Sequence, residues 1–308
     1  MTLAEPAYVP AHPSAMKLFL EGANLAQLYT GAIWTEGPVY FPETDTLIFS
    51  DIPNHRLLQY QSDGTVTVID HESNYTNGNT RTPDGRRVSC QHLTNSVVRF
   101  EKDGTQTVLA SLFRGKRLNS PNDVVVARDG AVWFTDPTYG ILSDLEGRAR
   151  PSEQEGCFVY RIDPDTGDCQ MVCDTLKMPN GLAFSLDEQT LYVSDSSKSH
   201  FEDGNHHVFA FDVVDGQRLE SQRVFHVIQH RVPDGMRVDE FDNLWCSSGR
   251  GVEVIAPDGT HIGHIAVPEP TANLTFGGPE GRRLFITATT SLYAIDVAVR
   301  GAEFLEIT

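Results

Sequence analysis

The sequence predicts an all-β, six-bladed β-propeller on three observations: a two-strand unit recurs six times, turn signals separate its strands, and long helical periodicity is absent. Each unit places an oxygen-bearing side chain before a short apolar strand. A Gly/Asp turn follows, then a second apolar strand that ends in a small polar residue. The clearest copies are Asn122-Asp123-Val124-Val125-Val126 with Val132-Trp133-Phe134-Thr135-Asp136, and Asn180-Gly181-Leu182-Ala183-Phe184 with Leu191-Tyr192-Val193-Ser194-Asp195. Glu36-Gly37-Pro38-Val39-Tyr40 with Leu47-Ile48-Phe49-Ser50-Asp51, and Asp234-Gly235-Met236-Arg237-Val238 with Leu244-Trp245-Cys246, fit the same template. Weaker copies begin at Asn77 and Asn273. The six starts lie 41, 45, 58, 54 and 39 residues apart, near the ~40 to 50 residues of a propeller blade with loop insertions.

Outer strands complete each unit, such as Arg56 to Tyr60 and Thr65 to Ile69 in the first, or Val208 to Val213 and Arg223 to Val227 in the fourth. Asp63-Gly64, Asp103-Gly104 and Asp258-Gly259 are hairpin signals, because glycine tolerates the positive φ such turns need. The last unit is short of an outer strand, so Ala26 to Thr30 or Phe304 to Ile307 is expected to complete it. Closure of this kind leaves few exposed sheet edges. The expected organisation is an N-terminal extension over residues 1–25 and one propeller domain over 26–308.

Composition narrows the partners. Of 308 residues, 24 are Lys or Arg and 42 are Asp or Glu, a formal charge of −18, which repels phosphate backbones and anionic membrane surfaces. Neither nucleic acid nor membrane is expected as a partner. The first residues lack a basic, apolar leader pattern, and no run of about 18 apolar residues occurs, so a cytoplasmic location is expected. The five cysteines are an odd number without CxxC pairs, which points to buried thiols rather than disulfides or a zinc knuckle.

Equivalent positions of successive blades converge on one mouth of a propeller's channel. The strand heads Glu36, Asn77, Asn122, Asn180, Asp234 and Asn273 all offer a side-chain oxygen. Any one Asn-Gly or Asp-Gly is ordinary turn chemistry, but Glu36 has no special turn preference and all six positions agree. Two carboxylates and several carboxamides without a His or Cys cluster form a hard-oxygen set suited to one divalent cation, Ca²⁺ foremost, with Zn²⁺, Mn²⁺ and Mg²⁺ as alternatives. Phase alone keeps all six residues as candidates.

A second ring follows at the ends of the second strands: Asp51, His92, Asp136, Asp195, Ser248 and Ala288. Asp136 and Asp195 are candidate acceptors that orient the carboxamides from behind, or else bond backbone amides between blades. His92 is the only histidine that the phase brings near the mouth. His200, His206 and His207 fall in the polar insertion 196–207, read as a solvated loop rather than a metal cluster.

Glu36-Gly37-Pro38, Ser120-Pro121-Asn122-Asp123, Pro179-Asn180-Gly181-Leu182-Ala183-Phe184-Ser185, Pro233-Asp234-Gly235 and Leu274-Thr275-Phe276-Gly277-Gly278 together resemble the gluconolactonase, regucalcin and luciferin-regenerating-enzyme family over about residues 30 to 297. Asn119-Ser120-Pro121-Asn122-Asp123 and Thr135-Asp136-Pro137 look closest to its bacterial gluconolactonase branch. The resemblance implies an axial divalent cation with Glu36, Asn122, Asn180 and Asp234 as its ligands. Regucalcin-like members carry a substrate-holding Arg where this chain has Ser120, with Arg117 as a candidate substitute.

The activity implied is metal-dependent hydrolysis of a sugar lactone, glucono-1,5-lactone or a related aldonolactone, to the aldonic acid. Asp234 is the candidate general base, with His92 or Asp136 as substitutes, because a carboxylate bound to a cation is a weak base. Asn77, Asn119, Tyr139 and Asn273 are candidate contacts for sugar hydroxyls. Two alternatives stand beside this reading: a phosphotriesterase-type hydrolase resembling diisopropyl fluorophosphatase, and a non-catalytic calcium-binding propeller scaffold.

Overall fold

Residues 7–305 are described by a computed structural model. Six antiparallel blades follow one another in chain order as a β-propeller. Blade 1 consists of Thr35–Phe41, Thr46–Asp51, Arg56–Gln61 and Val66–Asp70; blade 2 of Thr76–Arg81, Arg87–Gln91, Ser96–Phe100 and Gln106–Ala110. Val124–Val126, Val132–Asp136, Phe158–Ile162 and Cys169–Cys173 make blade 3, and Pro179–Phe184, Thr190–Asp195, His207–Val214 and Arg218–Val227 make blade 4. Blade 5 holds Met236–Val238, Leu244–Ser248, Gly251–Ile255 and His261–Ala266, and blade 6 holds Thr271–Gly277, Arg283–Ala288 and Ser291–Asp296.

Ala26–Thr30 supplies the missing outer strand of blade 6, pairing Gln27 with Tyr293 and Thr30 with Ser291. The other candidate does not: Phe304 lies in a 3₁₀ turn, Ala302–Phe304, and Ile307 lies outside the described residues. The segment before residue 26 is more than an appendage. Tyr8–Pro10 adds a fifth strand beside His261–Ala266 of blade 5, and Ala15, Leu18 and Phe19 are buried in the core shared by blades 1, 5 and 6. Phe19 stacks on Tyr8 at 4.5 Å and meets Trp245 at 5.7 Å. The outer edge of blade 5 thereby becomes a three-residue strand ending in proline, a poor template for pairing with another chain.

Apolar side chains fill the wedges between blades. Cys90, Val97, Val124 and Phe134 pack between blades 2 and 3, Trp133, Leu182 and Val193 between blades 3 and 4, and Tyr192, Val208, Met236 and Cys246 between blades 4 and 5. All five cysteines are free; Cys90, Cys173 and Cys246 are buried and Cys157 and Cys169 half-buried. Among the described residues no helix is long and apolar enough to cross a membrane.

In blades 1, 3 and 4 the small polar residue near the end of the second strand reaches the next blade. Ser50 Oγ donates to the Asn77 carbonyl at 2.7 Å, Thr135 Oγ1 to the Asn180 carbonyl at 2.6 Å, and Ser194 Oγ to the Asp234 carbonyl at 3.0 Å. Each hydroxyl satisfies a buried carbonyl at the head of the next blade's inner strand, where water cannot. Ser89 and Thr287 instead bond within their own blades, to Asn79 Oδ1 and the Asn273 carbonyl.

Candidate active site in the channel mouth

Glycine follows four of the six strand heads, and at Gly78, Gly181 and Gly235 the reason is not turn chemistry, for none of the three has a positive φ. A Cβ on Gly181 would stand 2.2 Å from the Asp234 carbonyl oxygen, and one on Gly235 would stand 2.0 Å from the Asn273 side chain. At these three positions the inner strands converge so closely that only glycine fits between one ring residue and the next. This convergence brings the oxygen-bearing side chains together.

Glu36, Asn77, Asn122, Asn180 and Asp234 line one cavity of about 660 Å³ at the channel mouth. Tyr139, at the head of the single turn Tyr139–Leu142, lines it too, 5.3 Å from the His200 ring. Glu36 Oε2 accepts from the Gly37 N–H at 2.6 Å and from Asn273 Nδ2 at 3.1 Å, and the Asn180 carboxamide donates to the Asp234 carboxylate. Burial, and then the charge of Asp123, push the Glu36 carboxyl up; burial, and then Glu36 and Asp123, push Asp234 well above the usual carboxylate range. Buried anions in such proximity favour a compensating positive charge.

Asn77 points the same way. Its Nδ2 lies 3.3 Å from His92 Nε2, while its Oδ1 is buried without a hydrogen-bond partner. Two carboxylates, the carboxamides and this unsatisfied oxygen fit a hard dication. Among the described residues no group of three or more His, Cys, Asp or Glu side chains is placed to hold a metal ion, so a cation site here depends on carboxamide oxygens.

Residues 34–290 match the SMP-30/gluconolactonase/LRE-like family. The chain belongs to this family. A gluconolactonase of Zymomonas mobilis is 30% identical over 287 residues, 85% of this chain and 78% of that protein. A solved gluconolactonase of Xanthomonas campestris is 39% identical, covers 94% of this chain and 95% of its own, and superposes with a TM-score of 0.87. The pentonolactonase of Haloferax volcanii is 27% identical, with 82% of this chain and 80% of that protein matched.

Within this SMP-30/gluconolactonase/LRE-like chain several expected site residues lie elsewhere. Asn119 is fully buried as a strut: its Nδ2 donates to the Asp136 and Gly156 carbonyls and its Oδ1 accepts from Ser152 Oγ. Asn273 sits beneath the cavity, bonding Glu36 and, at 3.4 Å, Asp123. Neither lines the cavity, where the expected contacts for sugar hydroxyls would stand. Asp136 and Asp195 do not orient the carboxamides of Asn122 and Asn180. Asp136 Oδ2 accepts from the Asn119 backbone N–H at 2.8 Å, and Asp195 accepts from the backbones of Lys177, Met178 and Ser197. Their carboxylates clamp the turns that precede the inner strands.

Neither substitute base reaches the cavity. Asp136 is fully buried, and His92 is 1% exposed with both ring nitrogens engaged, by Asn77 and by the Glu146 carbonyl. Arg117 is half exposed and paired with Glu153, and Ser120 Oγ donates to the Pro137 carbonyl, so neither supplies the substrate-holding Arg of regucalcin-like relatives.

The repeat phase missed Asp123, Glu146 and His200. Asp123 occupies the slot after a strand head that glycine fills in four other blades, and its buried carboxylate lies below the ring, with Arg237 opposing the upward shift that burial imposes. That carboxylate in a glycine slot was its available signal. Glu146 and His200 line the cavity from insertions, which have no counterpart in other blades. Of the three insertion histidines only His200 reaches it; His206 Nδ1 bonds the Ile228 carbonyl.

Proposed function

We propose that this chain hydrolyses a sugar lactone, glucono-1,5-lactone or a related aldonolactone, to the aldonic acid, with one divalent cation, Ca²⁺ foremost, held by Glu36, Asn122, Asn180 and Asp234. The coarser part, lactone hydrolysis, rests on the family and on relatives named as gluconolactonase and pentonolactonase. One observation supports the finer part: the buried Glu36 carboxylate, the half-buried Asp234 carboxylate and three carboxamides converge on a single cavity.

A cation bound there would polarise the lactone carbonyl as a Lewis acid. The chain's own groups do the rest. Asn77 Oδ1, unsatisfied within the protein, accepts a hydrogen bond from a sugar hydroxyl when it is not drawn to the cation, and the Tyr139 ring borders the space for the sugar. Asp234 carries two competing assignments, as ligand and as base, and a carboxylate that holds a dication is a poor proton acceptor.

The test is a pH-drop assay on pentono- and hexonolactones after chelation and after addition of Ca²⁺, Zn²⁺, Mn²⁺ or Mg²⁺. Turnover should vanish on chelation and return with one of the four ions. Full activity in metal-free protein would overturn the cation assignment, and no turnover on any lactone would overturn the activity.

A further inference from the structure

Three carboxylates line the cavity: Glu36, Asp234 and Glu146. The first two are tied into the ring of strand heads. Glu146 is not: its carboxylate has no hydrogen-bond or ion-pair partner among the described residues. It nevertheless stands close enough to Glu36 and Asp234 for its charge to raise both.

The segment that carries Glu146 is firmly seated. Gly140 N–H donates to Ser120 Oγ at 3.0 Å, while the Arg148 and Arg150 N–H groups donate back to the Gly140 and Ile141 carbonyls at 3.0 and 3.1 Å. A Cβ on Gly147 would stand 2.1 Å from the Gly140 carbonyl oxygen, and one on Gly140 would stand 2.5 Å from the His92 ring. His92 Nδ1 donates to the Glu146 carbonyl at 2.8 Å. That bond places the imidazole proton on Nδ1 and leaves Nε2 to accept from Asn77. The buried histidine thus ties the Glu146 backbone to a cavity-lining carboxamide, which fixes where the side chain enters the cavity.

We infer that Glu146 is the proton acceptor for the attacking water and that His92 is the positioning residue that holds it over the cavity. The assignment rests on the lactonase reading and removes the double duty from Asp234. As the water oxygen bonds to the lactone carbonyl carbon, its proton passes to the Glu146 carboxylate. The tetrahedral adduct then breaks its ring C–O bond, and the proton passes from Glu146 to the departing ring oxygen. Lactone and water become hydroxy acid, and Glu146 is restored.

Burial raises the Glu146 carboxyl above the ordinary Glu range, the direction that suits a base working near neutrality. The ionisable groups that face it across the cavity are Glu36, Asp234, Tyr139, His200, Lys198 and Arg231, with His92 behind its backbone.

The test compares wild type, Glu146→Gln, Glu146→Ala and His92→Gln in kcat and KM between pH 5 and 9, in Ca²⁺ affinity by calorimetry, and in rescue by formate. Glu146→Gln should lower kcat about 100-fold or more, with KM nearly unchanged, Ca²⁺ still bound though more weakly for want of one nearby charge, and the acidic limb of the pH profile lost. Formate should restore turnover to Glu146→Ala, because a small carboxylate can occupy the vacated space. His92→Gln should lower kcat while keeping the limb, since it displaces the base without removing it. A Glu146→Gln enzyme with unaltered kcat and pH profile, a defect confined to KM, or a kcat that returns to the wild-type value in saturating Ca²⁺ would each overturn the assignment. Those outcomes require an active wild type; a wild type inert on every lactone overturns the lactonase reading instead.

Discussion

The Thr135 hydroxyl donates a 2.6 Å hydrogen bond to the Asn180 backbone carbonyl, across the boundary between blades 3 and 4. The same oxygen accepts from the Asp123 backbone N–H at 3.2 Å. One side chain thus satisfies two buried backbone groups beside the cavity. Thr135→Val keeps the shape and strands both, which should cost about 2 kcal/mol in urea denaturation. Because Asn180 is displaced with its carbonyl, Ca²⁺ affinity should fall too, measured by calorimetry.

Gly181→Ala should cost more. Its Cβ would press on the Asp234 carbonyl at 2.2 Å, and neither inner strand can retreat without opening the ring. Overpacking of this kind costs about 1 to 3 kcal/mol or more, and the displaced Asp234 should weaken cation binding as well. An alanine variant with wild-type denaturation midpoint and Ca²⁺ affinity would show that the strands are less tightly converged.

These two positions show what the sequence disclosed and what it concealed. The spacing of strand heads revealed six blades and the ring of oxygen donors, because a repeated unit must repeat its chemistry. It misdirected the reading of Asn180-Gly181 and Asp234-Gly235, since turn glycines and close-approach glycines are written with the same letters. Asn273 belongs to the ring by phase but faces Glu36 rather than the cavity; phase fixes where a strand begins and not where its side chain finds a partner. Glu146 was invisible, because it lies in an insertion of blade 3 that no other blade repeats.

Removing divalent cations should lower thermal stability if Glu36 and Asp234 share one ion, since the buried Glu36 and half-buried Asp234 charges are then left to repel each other. A ligand at about 100 times its Kd adds about 2.7 kcal/mol to the native state. Melting curves in EGTA and in saturating Ca²⁺ should therefore differ by several degrees. Asp234→Asn should fold, lose that difference and lose turnover.

His92 should remain neutral far into the acid range. Burial pushes its imidazole down to about 4, against the smaller upward pull of the Glu146 carbonyl. In the unfolded chain it titrates near 6.5, so between those values the unfolded state binds the extra proton. Its contribution to stability is whole above about pH 6.5, declines as pH falls toward 4, and amounts to a few kcal/mol at most. Nitrogen-15 NMR of the imidazole should show the neutral, Nδ1-protonated form at pH 5.5; a charged ring there would overturn the expectation.

Phe19→Ala tests whether residues before the first blade belong to the propeller's core. Phe19 is 5% exposed and stands between Tyr8 and Trp245, while a backbone bridge joins it to Val297 after the last strand of blade 6. Truncation would leave a cavity under the added strand Tyr8–Pro10 and cost about 3 to 5 kcal/mol. None of its neighbours named here lines the channel mouth, so kcat and Ca²⁺ affinity below the melting transition should stay at wild-type values. A loss of activity without a loss of stability would mean that the segment acts on the site and not on the closure of the ring.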